Sequence, residues 1–283
     1  MFYKMECHQP SGSFKIRGIE KLCRHFMEQG KRSFIIPSGG NAGYSLAYAG
    51  KQLGAHIKVV VPETTSVVMI EKIRTLNAEV EVHGKVWDDA NVYAQTLVAE
   101  GGYTFIHPFD HPLLWQGHSS IIDECAADMP EPDKIVVAVG GGGLLSGIFE
   151  GMKRNGWNTA TVVTAETAGA ASFLKSWTAK KLVALDEIRT IAGSLAAKKV
   201  CLNAIQMANN FNVAPFTVSD AGAIQACGHF LNEFNVLVEP ACGAALAYPY
   251  YGANQIDADE QVLIIACGGI CMDIGQFLDY SEK

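Results

Sequence analysis

Short runs of β-branched and aliphatic residues alternate with stretches whose apolar positions return every three or four residues, almost from end to end. That alternation predicts strands and helices in turn, hence parallel sheets covered by helices, an α/β fold. Past Lys15, apolar Ile16, Ile19, Leu22, Cys23, Phe26 and Met27 recur at helical spacing, and Gly30 supplies a stop. Four short units follow. "SFIIP" at 33–37 leads into a helix from Asn41 to Leu53, ended by Gly54. "IKVVVP" at 57–62 leads to a helix carrying Val67, Ile70, Ile73 and Leu76 on one face. "AEVEVHG" leads to a longer helix over 87–100, and "YTFIHP" closes the set.

The turn-rich "HPFDHP" at 107–112 reads as the exit from a small unit of parallel strands. Beyond it stand "KIVVAVG", "ATVVTAE", helices near 200–210 and 219–234, the helical "ACGAALAYPY" at 241–250 and a last strand in "QVLIIACGG". The expectation is a two-domain α/β chain. A small domain, 34–108, is inserted in a large one made of 1–33 and 109–283. The cleft between them is the default ligand site.

Charge and cysteine usage narrow the partners. The 283 residues carry a net charge of −7 without blocks of Lys or Arg, which argues against nucleic acid or an anionic membrane. The start, "MFYKMECHQP", lacks the apolar core of a signal peptide, and the longest apolar run, at 135–149, is too short and Gly-rich to span a bilayer. Eight scattered cysteines form no Cys-x-x-Cys pair, so reduced thiols in the cytoplasm are expected. Eight histidines show no zinc-binding spacing.

Three Gly-rich strand–helix junctions could carry chemistry. In "VAVGGGGLLSG" a β-branched strand runs into Gly140, Gly141, Gly142 and Gly143 before a helix begins. Such a turn brings backbone N–H groups and a helix N-terminus to an anion such as phosphate; a tight structural turn is the plain alternative. No Gly-Lys-Ser/Thr follows, and the spacing misses the dinucleotide fingerprint, so a nicotinamide-dependent oxidoreductase rests on the glycines alone. In "PSGGNAG", Ser38 and Asn41 either cap a helix or hold a substrate carboxylate or a ring oxygen. In "ACGGIC", Cys267 ends a strand, where open sheets place ligands, or is a buried structural thiol. Lys15, on the turn "QPSGSFKIRG", then gains a purpose. One phosphate, one carboxylate and one amine suit pyridoxal 5'-phosphate with an amino acid, the lysine forming a Schiff base.

At these residues the chain closely resembles the cytosolic serine/threonine dehydratases of the fold-type II pyridoxal-phosphate enzymes, the serine dehydratase and serine dehydratase-like group. The match runs in order through "QPSGSFKIRG", "SGGNAG", "PFDHPLLWQGHSS", "VGGGGLLSG", "VEPACGAALA" and "CGG". The resemblance implies a tryptophan-synthase-β-like architecture and β-elimination from L-serine and L-threonine, giving pyruvate or 2-oxobutyrate and ammonia. It implies that Lys15 binds the cofactor and moves the Cα proton, while Phe14 packs on one ring face and Ser194 lies against the other. Gly140 to Gly143 and Leu144 hold the phosphate, and the phosphate gives a proton to the leaving hydroxide. Asn41 donates to the ring's phenolic oxygen, and Ser38, Asn41 and Ala42 take the substrate. Cys267 faces the pyridine nitrogen. Glu166, Ala170 and Ser172 match a monovalent-cation site, K+ being the candidate, and a homodimer is implied.

The chain also departs from its relatives. They carry about one helix and a strand ahead of "MFYKMEC", so domain closure and stability are expected to differ here. Ile270 and Cys271 stand where polar residues are common, and Gly39 is expected to loosen the asparagine loop. A serine racemase, a β-replacement enzyme and a cofactor-binding but catalytically impaired short form stay open as alternatives.

Overall fold

The structure, a computed structural model, describes residues 1–252 and 256–282. Two parallel sheets organise it. The smaller comes from one continuous stretch: β2 (Ser33–Ile36), α2 (Asn41–Leu53), β3 (His56–Val61), α3 (Val67–Arg74), β4 (Glu79–Val82), α4 (Trp87–Glu100) and β5 (Thr104–Phe105). Its strand order is β4-β3-β2-β5, all parallel. α2 keeps its expected limits because Gly54 takes the left-handed conformation that closes it.

The larger sheet joins distant segments in the order β1-β9-β6-β7-β8, again all parallel. Its strands are β1 (Phe2–Lys4), β6 (Lys134–Ala138), β7 (Thr161–Thr167), β8 (Asn212–Val218) and β9 (Val262–Ile265). Around it lie α1 (Lys15–Glu28), α5 (Pro112–His118), α6 (Ser120–Asp128), α7 (Gly143–Asn155), α8 (Ser172–Thr178), α9 (Leu202–Ala208), α10 (Asp220–Phe234), α11 (Pro240–Leu246), α12 (Tyr248–Tyr251) and α13 (Ile274–Ser281).

The apolar face of α1, with Ile16, Ile19, Leu22 and Cys23 buried, packs into the core of the small sheet beside Phe34, Ile36 and Leu46. A Cβ at Gly18 would stand 2.7 Å from the Leu114 carbonyl, and one at Gly117 would stand 2.4 Å from the Arg17 carbonyl. Two glycines therefore let α1 and α5 cross closely, fixing the start of α1, where Lys15 sits.

β1, α5, α6, α8 and α13 add to the elements expected from the sequence, and two further differences have a local physical reason. Val67 is 72 % exposed, while Met69 and Ile73 are the buried residues of α3. Helical side chains lean toward the N-terminus, so the first residue points past the sheet rather than onto it. β8 escaped prediction because Pro215 interrupts it; as an edge strand, it tolerates a residue without an N–H.

Candidate active site

The "QPSGSFK" segment is laced to the "CGG" turn that follows β9. Ser13 and Gly268 form an isolated antiparallel bridge. Phe14 N donates to the Cys267 carbonyl at 3.0 Å, and Gly269 N to the Gly12 carbonyl at 3.0 Å. Those bonds carry Phe14 and Lys15 to the end of the large sheet. Phe14 is buried, and the neutral ring of His118 meets it edge-on at 4.8 Å, burial holding that histidine's pKa well below the ordinary value.

Lys15 opens α1 and reaches across to the small sheet's exit loop. Its Nζ donates to the Pro108 carbonyl at 2.7 Å and lies 5.2 Å from the centre of the Phe14 ring. Burial lowers its pKa to about 8, against the opposing pull of Cys267 and Glu239. His107 shapes that loop: its Nδ1 accepts from the N–H groups of Phe109 at 3.3 Å and Asp110 at 2.8 Å. Burial, and then Lys15, push the His107 pKa down to about 4, so the ring stays a neutral acceptor.

Asn41 begins α2 and is buried. Its Nδ2 donates to Glu239 Oε1 at 2.7 Å and to Ser194 Oγ at 3.2 Å, while Oδ1 has no partner. Ala42 is buried behind it, and Ser38 Oγ accepts from the Gly40 N–H at 3.4 Å. At Gly39 a Cβ would stand 2.5 Å from Thr65 Cγ2, so the packing of this loop leaves room only for glycine. Cys271 is half-buried among Asn41, Ser194 and Glu239; burial and then the Glu239 carboxylate push its pKa well above the ordinary thiol value.

The four glycines join β6 to α7. Gly142, at φ 84°, precedes a helix start that no side chain caps. A Cβ on Gly140 would lie 2.8 Å from the Ser194 carbonyl, one on Gly141 2.4 Å from the Phe109 ring, and one on Gly143 2.5 Å from the Phe109 carbonyl. Leu144 is buried behind the turn. Cys267 is also buried, and its contact with Cys242, then burial, raise its pKa well above normal, so it is a neutral thiol.

Phe14, Lys15, Asn41, Ser194, Cys267 and the glycine turn thus gather in one place. Glu166, Ala170 and Ser172 form a second group at the end of β7. Glu166 accepts from the N–H groups of Phe173 at 2.8 Å and Leu174 at 2.9 Å, and burial raises its pKa to about 7. Ser172 Oγ beside it is buried without a partner. Among the described residues, no cluster of three or more His, Cys, Asp or Glu is placed to hold a metal ion, and no helix is long and apolar enough to cross a membrane.

Sequence reasoning missed Glu239, which joins the site from 198 residues beyond Asn41. In "VEPACG" an acid before a proline reads as an ordinary helix start, and nothing local signals its distant partner.

An amine with a depressed pKa, an uncapped helix start behind a glycine turn and unpartnered polar groups suit an anionic, carbonyl-bearing group and an amino acid. Comparison with known proteins agrees. The chain is 42% identical to an L-serine dehydratase of Dictyostelium discoideum, over 99% of this chain and 85% of that one. It is 39% identical to the human L-serine dehydratase/L-threonine deaminase, over 100% and 89% of the two chains. A crystal structure of a fungal L-serine ammonia-lyase from Rhizomucor miehei superposes with a TM-score of 0.95 at 34% identity, covering 99% of this chain and 92% of that one. The family model described as "Pyridoxal-phosphate dependent enzyme" matches residues 1–268, and the chain belongs to that family.

Proposed function

We propose that the protein is a pyridoxal-phosphate-dependent ammonia-lyase converting L-serine to pyruvate and ammonia, and L-threonine to 2-oxobutyrate and ammonia. The observation that carries this is Lys15: a buried amine with its pKa near 8, set between the glycine turn and a strand end that offers a thiol instead of a carboxylate. The relatives that deaminate serine and threonine match the chain almost throughout.

Pyridoxal phosphate fits the residues present. The uncapped start of α7 suits its phosphate, and the buried, unpartnered Ser13 Oγ and Asn41 Oδ1 await polar atoms. When bound, it supplies a carbonyl carbon that exchanges amines and a ring that accepts the electron pair freed at Cα.

The chain's own groups do the rest. Gly140, Gly141, Gly142, Gly143 and Leu144 hold the phosphate through backbone N–H groups, Phe14 supports one ring face and Ser194 the other. Ser38, in the turn before α2, and Ala42, in its first turn, hold the substrate carboxylate, while Asn41 Nδ2 donates to the ring's phenolic oxygen beside the substrate. Lys15 Nζ takes the Cα proton; with a pKa of about 8, roughly half of such amines are neutral at pH 8. Cys267, kept a neutral thiol, brings no full negative charge to the ring nitrogen and so fixes no proton there. That favours prompt loss of the β-hydroxyl over transamination.

The small unit, 34–108, and the large one, 1–33 with 109–283, form the two sides of this site in the same reading. K+ is the proposed cation at Glu166, Ala170 and Ser172, supported by the buried, unpartnered Ser172 Oγ. Glu166 is mostly ionised above pH 7, so K+ raises the melting temperature more at pH 8 than at pH 5.5; equal shifts would count against the site. Eight free thiols support the cytoplasm as the compartment. The resemblance alone supports a homodimer.

The test is pyruvate release from L-serine by purified protein supplied with pyridoxal phosphate. Lys15→Ala lowers it by about 10³-fold or more, the scale for removing a covalent catalytic group. No pyruvate from the parent sinks the reading, and D-serine in excess of pyruvate replaces it with a racemase.

A further inference from the structure

We infer that the Pro108 carbonyl is the seat of the Lys15 amine while that amine is free of the cofactor, and that His107 is the positioning residue that fixes the seat. Lys15 Nζ donates to this carbonyl at 2.7 Å, across 93 residues of sequence. The loop around it offers the amine no competing donor. Pro108 has no N–H, and the N–H groups of Phe109 and Asp110 both end on His107 Nδ1, at 3.3 and 2.8 Å. A carbonyl accepts one N–H and leaves the lone pair of a neutral amine on another side of the nitrogen, free to take a proton. The ammonia-lyase reading, on which this inference rests, asks that of Lys15.

His107 holds more than the carbonyl. The loop it closes continues into Phe109, whose ring crowds Gly141 and whose carbonyl crowds Gly143 while accepting from Trp115 Nε1 at 2.9 Å. The His107 ring itself meets the Phe109 ring edge-on at 4.7 Å. One turn thus joins the amine to the four glycines. The residue type matters as well. Asn and Asp are the usual acceptors for N–H groups two and three residues on. An aspartate would set a carboxylate where the field of Lys15 is felt and stabilise the charged amine, whereas a neutral imidazole closes the turn without that charge.

The test starts from cofactor-free protein. Its rate of pyridoxal-phosphate uptake, followed by visible absorbance from pH 7 to 10.5, tracks the neutral fraction of the amine. In the parent the rate levels off above a midpoint of about pH 8. In His107→Leu the freed loop admits water. The midpoint then rises by about one pH unit or more, and the cofactor dissociation constant rises about tenfold. His107→Asn returns an acceptor to the same two N–H groups and restores both. With L-serine, His107→Leu lowers kcat about tenfold and moves KM by less than about threefold. A leucine variant with the parent's midpoint overturns the inference, as does an asparagine variant shifted as far as the leucine one or a loss confined to KM. If His107→Leu does not fold, His107→Phe keeps a ring beside Phe109 without an acceptor and takes its place. A parent that makes no pyruvate fails the ammonia-lyase reading, while the uptake profile still decides the role of His107.

Discussion

Two turns of similar design meet at this site, and they are built in opposite ways. Each follows a parallel strand, passes through glycines and opens a helix. In the large sheet, all four positions of the Gly140–Gly143 turn are walled in by the Phe109 loop and the 194–204 segment, leaving no room for a side chain. In the small sheet, Gly39 and Gly43 are similarly crowded, yet at Gly40 a Cβ would meet only Cys271 Sγ, at 3.4 Å, and the next residue is a polar one with an unpartnered atom. One turn offers only backbone; the other offers a side chain, Asn41, bonded to Glu239 and Ser194. Packing alone demands glycine in the first, so the structural and the phosphate-binding readings of "GGGG" describe the same atoms.

The strongest way to probe the contrast is through Lys15, which lies between the turns. Its folded pKa of about 8 is below the ordinary 10.5, so its burial cost is fully present below pH 8 and fades as pH rises through 10.5. Protein freed of pyridoxal phosphate is therefore stabilised from pH 8 to 10.5 by at most about 3 kcal/mol relative to Lys15→Met. Denaturant unfolding of both proteins across that range checks it; parallel curves would mean the amine is not desolvated. Next in size, Gly141→Ala drives a Cβ to 2.4 Å from the Phe109 ring. It costs about 1–3 kcal/mol, whereas Gly40→Ala stays within about 0.5 kcal/mol, by thermal unfolding. Equal losses would erase the distinction between walled and open turns. Smallest is Lys72→Met, which removes the bond from α3 to the Ile270 carbonyl at 3.0 Å. It lowers stability by about 1 kcal/mol or less and leaves cofactor affinity within about twofold.

Much of this arrangement was legible in the chain. The limits of α2 and α4 followed from apolar spacing and the bounding glycines, and the strands of the small sheet from their β-branched runs. Lys15, Asn41 and the four glycines stood out because each sits at a strand–helix junction. What stayed hidden depends on distance. Nothing near Pro215 tells that its strand lies at a sheet edge, where a missing N–H is harmless. Nothing near Glu239 names Asn41, and Gly39 gives no sign that Thr65 presses on it. Local pattern reports elements and turns; which side chains meet across the fold is set by tertiary packing.

The pairing of β1 with β9 also bears on how the chain assembles. Phe2, Tyr3 and Lys4 lie in parallel register with Leu263, Ile264 and Ile265, so β1 waits for β9 to be made. The strands of the small sheet all fall between Ser33 and Phe105, and each pair closes over far shorter loops. Contacts of long sequence separation form late because loop closure must come first. On a ribosome the small sheet is therefore the earlier folding unit, and the Lys15 site, which needs the turn after β9, is completed only after residue 269 has been made.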